Sequence, residues 1–147
     1  MPSNASVTEP STAVAALEDA RRSTLRLVEG ITQEDLERVH SPLMSPLVWD
    51  LGHIAAFEDL WLVHRLGGEP MLREDLVNVY DAFETPRADR GDLPFLRAPE
   101  ARAYLDEVRE RALAHVQHGT AESSPIPKLV ARHKIQHQET MLQNLQP

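Results

Sequence analysis

A chain of 147 residues has the size of one domain, large enough to bury about 70% of the surface its unfolded form exposes. Apolar residues at 41% and charged residues at 26% are ordinary globular usage and exclude a fibrous repeat or wholesale disorder. The absence of cysteine excludes disulfides, thiolate nucleophiles and Cys-ligated metal, and a net charge of −8 without a basic patch opposes nucleic-acid phosphate.

Residues 1–10 are rich in Ser, Asn, Thr and Pro and read as a disordered N-terminus. They lack the positive-then-apolar pattern of a secretory leader, and no later apolar run approaches the ~20 residues a membrane span needs. The reading is a soluble, cytoplasmic protein with no membrane partner. From Ser11 the stretch STAVAALEDARRSTLRLVEG carries Val14, Leu17, Leu25 and Leu27/Val28 near helical spacing, with Gly30 as the stop. A short capped turn, TQEDLERV, precedes His40.

The segment SPLMSPLVWDLGHIAAFEDLWLVHRLGG predicts a second long helix, with Ser45 as N-cap, Pro46 at the first helical position and Gly67-Gly68 at its end. It is apolar almost all round, as a helix buried between neighbours must be. His53 stands in its middle. Residues 69–97 contain Pro70, Pro86 and Pro94 and predict a long loop with one helical turn, a length often tied to function. APEARAYLDEVRERALAHVQH predicts a third helix ending before Gly119, and a fourth runs from about Pro127 to Leu145. Four such helices without an alternating strand pattern predict an all-α, up-and-down four-helix bundle over residues 11–147.

On the last helix Leu129, Val130, Ile126, Met141 and Leu145 define an inward stripe, and steps of three and four from Val130 reach His133 and His137. Two buried imidazoles need partners for four nitrogens, and a shared divalent cation supplies them. The spacing alone is weak evidence, because seven histidines in 147 residues produce such pairs by accident. His53, on the other most apolar segment, is the candidate third ligand, since bundle cores build metal sites from facing helices. The competing reading of His53 is a core histidine bonded through one nitrogen to a carbonyl or to Asp50. Asp50, one turn before His53, is expected to take its other ring proton and fix the tautomer. His115 and His118 read as cations near a helix C-terminus. Glu139 points to another side from His137.

The strings HSPLMSPLVWDLGHIAAFEDLWLVHRLGG, VYDAFETPRADRGDLP and HKIQHQETMLQ together resemble the N-terminal, iron-binding DinB-like domain of the ergothioneine-biosynthesis sulfoxide synthases. The resemblance runs from Leu17 to Leu145. It implies a DinB-like four-helix bundle whose metal, Fe(II), is held by His53, His133 and His137. It implies O2-dependent joining of hercynine to a thiol, cysteine or γ-glutamylcysteine, as a sulfoxide. Gln136 would contact hercynine and Arg87 would hold a carboxylate of the thiol. No residue of this chain is assigned a catalytic role. Members of the family continue into a formylglycine-enzyme-like domain that completes the pocket; the chain ends at Pro147 without it, so a second domain or separate subunit is expected for full activity.

Two alternatives stay open: a stand-alone DinB-like thiol transferase using Zn or Ni, and a non-catalytic metal-binding bundle, with homodimer formation compatible with any of them. Three imidazoles accept several divalent metals. Lys134 stands where the family commonly has an acid, and reads as a surface substitution one residue off the inward stripe.

Overall fold

The computed structural model describes residues 12–38, 45–81, 90, 94–116 and 125–145, with the backbone alone for Thr12 and residues 143–145. The expected disordered N-terminus, His40, Arg87 and His118 lie outside the described residues. Helix α1 is Thr12–Val28, α2 is the single turn Gln33–Glu37, α3 is Leu47–Glu58, α4 is Ala98–Val116 and α5 is Ile126–Leu145. Thr32 caps α2, accepting from the Asp35 backbone N–H at 3.1 Å. No strand occurs among the described residues, and no described helix is long and apolar enough to cross a membrane.

Around the bundle α1 lies beside α5, α5 beside α3 and α3 beside α4, which closes back on α1. The first two long helices in the chain therefore face each other diagonally, and α5 is inserted between them. That order brings the C-terminal helix, with its two histidines, against α3, which carries His53.

Helix α3 starts one residue later than the sequence suggests: Pro46 is the N-cap and makes no side-chain cap bond, while Ser45 donates to Asp50 Oδ2 at 3.0 Å. After Glu58 the helix widens into a π-helical segment, Asp59–Leu66, the kind of local insertion that re-aims side chains near functional sites. Gly67 N–H bonds Leu62 O at 3.1 Å, and Gly68 ends the helix with φ +74°, a left-handed conformation that glycine adopts freely. Asp59, fully buried, accepts from the backbone N–H of Leu72 (2.9 Å) and Arg73 (3.1 Å) and from the Tyr104 hydroxyl (2.7 Å). One carboxylate thus ties the loop after the π segment to α4.

Two apolar clusters fill the bundle. One joins Trp49, Leu51 and Ile54 of α3 to Leu105 and Val108 of α4, Met141 of α5 and Tyr80. The other joins Leu17 of α1 to Leu62, Ala112, Val116 and Val130. On α5 Pro127, Val130, Ala131, Lys134 and Met141 are buried, whereas Leu129 is 41% exposed. The inward stripe is therefore rotated from the expected one, so that Leu129 leaves it and Lys134 enters.

Lys134 is the clearest correction. Rather than a surface substitution, it is 1% exposed, its ammonium 2.6 Å from Glu58 Oε1. Arg109 grips the same carboxylate from α4, Nε to Oε2 at 3.1 Å and Nη2 to Oε1 at 3.2 Å. The physical reason is the pairing: a lysine enters a core when a buried carboxylate meets it. Burial alone would raise the Glu58 carboxyl, but Lys134 and Arg109 hold it down at about 2. Burial pushes the Lys134 ammonium down to about 8 against the pull of Glu58, leaving it mostly charged at neutral pH.

Candidate metal centre

His53, His133 and His137 converge between α3 and α5, one ring nitrogen from each lying within 4.8 Å of the others. His53 is buried and the other two are partly buried. The centroid distances are 4.9 Å from His53 to His133, 4.3 Å from His53 to His137 and 4.5 Å from His133 to His137.

Hydrogen bonds fix which nitrogens of His53 and His137 face inward. The Nδ1–H of His53 donates to the Tyr80 carbonyl at 2.6 Å, so the neutral ring presents the Nε2 lone pair to the cluster. That Nε2 lies 3.0 Å from His133 Nε2. Two nitrogens each about 2.1 Å from one ion and at right angles to each other would be about 3.0 Å apart. His137 turns Nδ1 to Asp50 Oδ1 at 3.3 Å, and Asp50 is itself held by Ser45. A ring nitrogen directed at a carbonyl or carboxylate, leaving the other for a cation, is the usual environment of a metal-binding histidine. His133 Nδ1 is buried without a hydrogen-bond partner, its ring held instead by stacking on Phe57 at 3.6 Å and 8° from parallel. His53 stacks on Trp49 at 4.9 Å and 9°.

Burial, followed by the neighbouring His137, pushes the His53 imidazolium down to about 4. The same causes, with His53 added, push His133 lower still. Both rings are neutral at physiological pH, the state in which imidazole binds metal. The donor set, three neutral imidazoles with two of them oriented from behind, fits a divalent transition metal.

The cluster opens on a cavity of about 500 Å³. Phe57, Leu60 and Trp61 from the end of α3 and the π segment line it together with Met71 and Val77 from the loop, Tyr80, Asp81 and the three histidines. Such a cavity, mostly apolar with a few converging polar groups, suits a small organic ligand.

Not every expected residue joins the centre. Asp50 meets His137 across the bundle rather than His53 on its own helix, because the Tyr80 carbonyl already takes the His53 ring proton. Gln136 is on the exposed side of α5. His115 lies away from the cluster and pairs through Nε2 with Glu69 Oε2 at 2.5 Å. The sequence reading missed the Tyr80 carbonyl and the Glu58–Arg109–Lys134 cluster. Glu58 and Asp59 did leave a signal: two consecutive acids in a helix apolar all round must find buried partners.

The DinB superfamily profile matches residues 16–141. Over 132 residues the chain is 47% identical to the hercynine oxygenase of Mycolicibacterium smegmatis, covering 86% of this chain and 30% of that protein. Over 144 residues it is 42% identical to the hercynine oxygenase of Mycobacterium tuberculosis, covering 95% of this chain and 33% of that protein. The hercynine oxygenase of Mycolicibacterium thermoresistibile is 42% identical over 132 residues. The chain thus spans about a third of the length of these relatives. By the extent of the profile match, the chain belongs to the DinB superfamily.

Proposed function

We propose that this chain is the metal-binding portion of a cytoplasmic, non-haem iron, O2-using sulfoxide synthase that joins hercynine to a cysteine-containing thiol. The observation that carries the reading is the three-imidazole cluster at the mouth of the cavity, in a chain 47% identical to part of a hercynine oxygenase. In the overall reaction the hercynine C2–H and the thiol S–H bonds break and a C–S bond forms. One atom of O2 goes to the sulfoxide and the other leaves as water, taking both hydrogens. Fe(II), when bound, supplies the one-electron chemistry that O2 requires.

His53, His133 and His137 would hold the ion. The Tyr80 carbonyl and Asp50 orient two of those rings, and Phe57, Leu60 and Trp61 keep water from one side of the cavity. In this reading Arg87 supplies the planar fork that holds a carboxylate of the thiol, cysteine or γ-glutamylcysteine. Gln136, exposed on α5 next to His137, reaches hercynine from the open side. A formylglycine-enzyme-like second domain or subunit closes that side, with residues 11–147 as the DinB-like part.

The test is metal analysis after anaerobic purification of the chain and of its His53→Ala, His133→Ala and His137→Ala variants. One equivalent of iron in the native chain and its loss in each variant is expected. Full metal content in any two variants would sink the site, and stoichiometric zinc or nickel in place of iron would point to a thiol transferase instead. The chain by itself should not turn over hercynine and thiol. Sulfoxide formation without a partner would remove the need for a second domain.

A further inference from the structure

The charged cluster of Glu58, Arg109 and Lys134 lies between the two apolar clusters on α4 and α5 and near their boundary on the α3 side. Along α3 and its π-helical continuation, Glu58 falls between Ile54 and Leu62, with Val63 of the first cluster beyond it; on α4, Arg109 falls between Val108 and Ala112; on α5, Lys134 falls between Val130 and Met141. Apolar contacts above and below such a layer are non-directional and tolerate small slides of one helix along another. An ammonium 2.6 Å from a carboxylate oxygen does not. Sliding α5 by one residue moves it about 1.5 Å and turns it about 100°, which would carry Lys134 off Glu58 and leave a buried charge unmatched.

The same helices carry the histidines. Glu58 follows His53 by five residues on one continuous helix, and Lys134 is bonded in the chain to His133 and three residues before His137. Gln138 also anchors α5, donating to Ala20 O at 2.8 Å and Thr24 Oγ1 at 2.9 Å. Those partners are on α1, so that bond does not fix α5 against α3. The Lys134–Glu58 pair does, alongside the longer His137–Asp50 contact at 3.3 Å.

We propose that the Glu58–Arg109–Lys134 cluster is a register key, with Lys134 the positioning residue that holds α5 against α3 at the one offset where His133 and His137 face His53. The inference rests on the metal-centre reading for its consequence but not for its geometry. Buried ion pairs are poor net contributors to stability against apolar replacements, and fixing register is the best supported use of them.

Lys134→Met separates the two roles, because it leaves a balanced, bidentate Glu58–Arg109 pair between α3 and α4 and removes the Lys134 tie to α5 while sparing the His137–Asp50 contact. The metal-free variant should melt within a few degrees of the native chain. It should lose the imidazole ring-proton contact between His53 and His133 seen by NMR, bind Co(II) at least tenfold more weakly, and give an altered Co(II) visible spectrum. Gln138→Leu should keep the native spectrum. Native ring contacts, affinity and spectrum in Lys134→Met would overturn the proposal, as would a large loss of stability with those three readouts intact. Should Lys134→Met not fold, Glu58→Leu/Arg109→Leu/Lys134→Met, with no charge left to bury, carries the same test. If the native chain binds no Co(II), the metal reading fails, and the ring contacts alone decide the key.

Discussion

The backbone carbonyl of Tyr80 sits 2.6 Å from Nδ1 of His53, so a loop residue 27 positions away sets the tautomer of the central histidine. That carbonyl is held from several directions. The Trp49 indole donates to the neighbouring Val79 carbonyl at 3.0 Å, and the Tyr80 hydroxyl accepts from Leu96 N–H at 2.8 Å. Gly52 provides the room: a Cβ there would run into the Tyr80 ring. Gly52→Ala should therefore displace Tyr80, costing about 1–3 kcal/mol by overpacking. Urea titration should show this, together with weaker Co(II) binding; native behaviour in both would mean that the ring yields without moving the carbonyl.

Asp59 is the second anchor of this loop. Asp59→Ala leaves two backbone N–H groups and the Tyr104 hydroxyl without their acceptor, for a loss of about 3 kcal/mol or more. Tyr104→Phe removes one bond and should cost about 1 kcal/mol. Hydrogen exchange at Leu72 and Arg73 separates the two variants, accelerating strongly only in Asp59→Ala. Equal protection in both would show that the loop is held by other contacts.

Acid should unfold the metal-free chain in two stages. His53 has a folded-state pKa near 4 against 6.5 when exposed, and His133 is lowered further. Between pH 6.5 and 4 the unfolded chain therefore binds more protons than the folded one. Stability falls as pH drops through that window, by at most ~1.4 kcal/mol per unit for each histidine. Glu58 is held near 2 against 4.5, so its contribution is fully present above pH 4.5 and is lost as pH falls toward 2. Urea midpoints of chelator-treated protein at pH 8, 6.5, 5.5 and 4.5 provide the measurement, with little change expected above 6.5 and a growing drop below it. A profile flat to pH 4.5 would contradict the burial of the histidines.

Glu58→Leu should be among the most damaging single changes in the core, because it leaves Arg109 and Lys134 buried without the carboxylate they share. Breaking such a pair from one side costs about 3–5 kcal/mol. Adding Arg109→Leu and Lys134→Met should restore most of that loss in thermal melts. Failure of the triple variant to recover would mean that the ion cluster itself carries net stability.

Much of the fold was legible in order along the chain. Periodic Val14, Leu17 and Val28, the Thr32 cap, Gly30 and Gly67-Gly68 and the apolar run from Leu47 to Leu62 announce helices by local rules, and those rules act through nearest neighbours. His133 and His137 were readable as a pair because a helix brings residues four apart together whatever the fold. Their meeting with His53 depends on α5 lying between α1 and α3, an arrangement that no local periodicity encodes. Tertiary packing also decided Lys134. Its sequence neighbours make it a surface residue, and only the arrival of Glu58 from another helix makes burial tolerable. The sequence by itself determined which residues were able to bind a metal; the tertiary structure decided which nitrogens face one another, because hydrogen bonds to the Tyr80 carbonyl and the Asp50 carboxylate, distant in the chain, choose the orientation of the His53 and His137 rings.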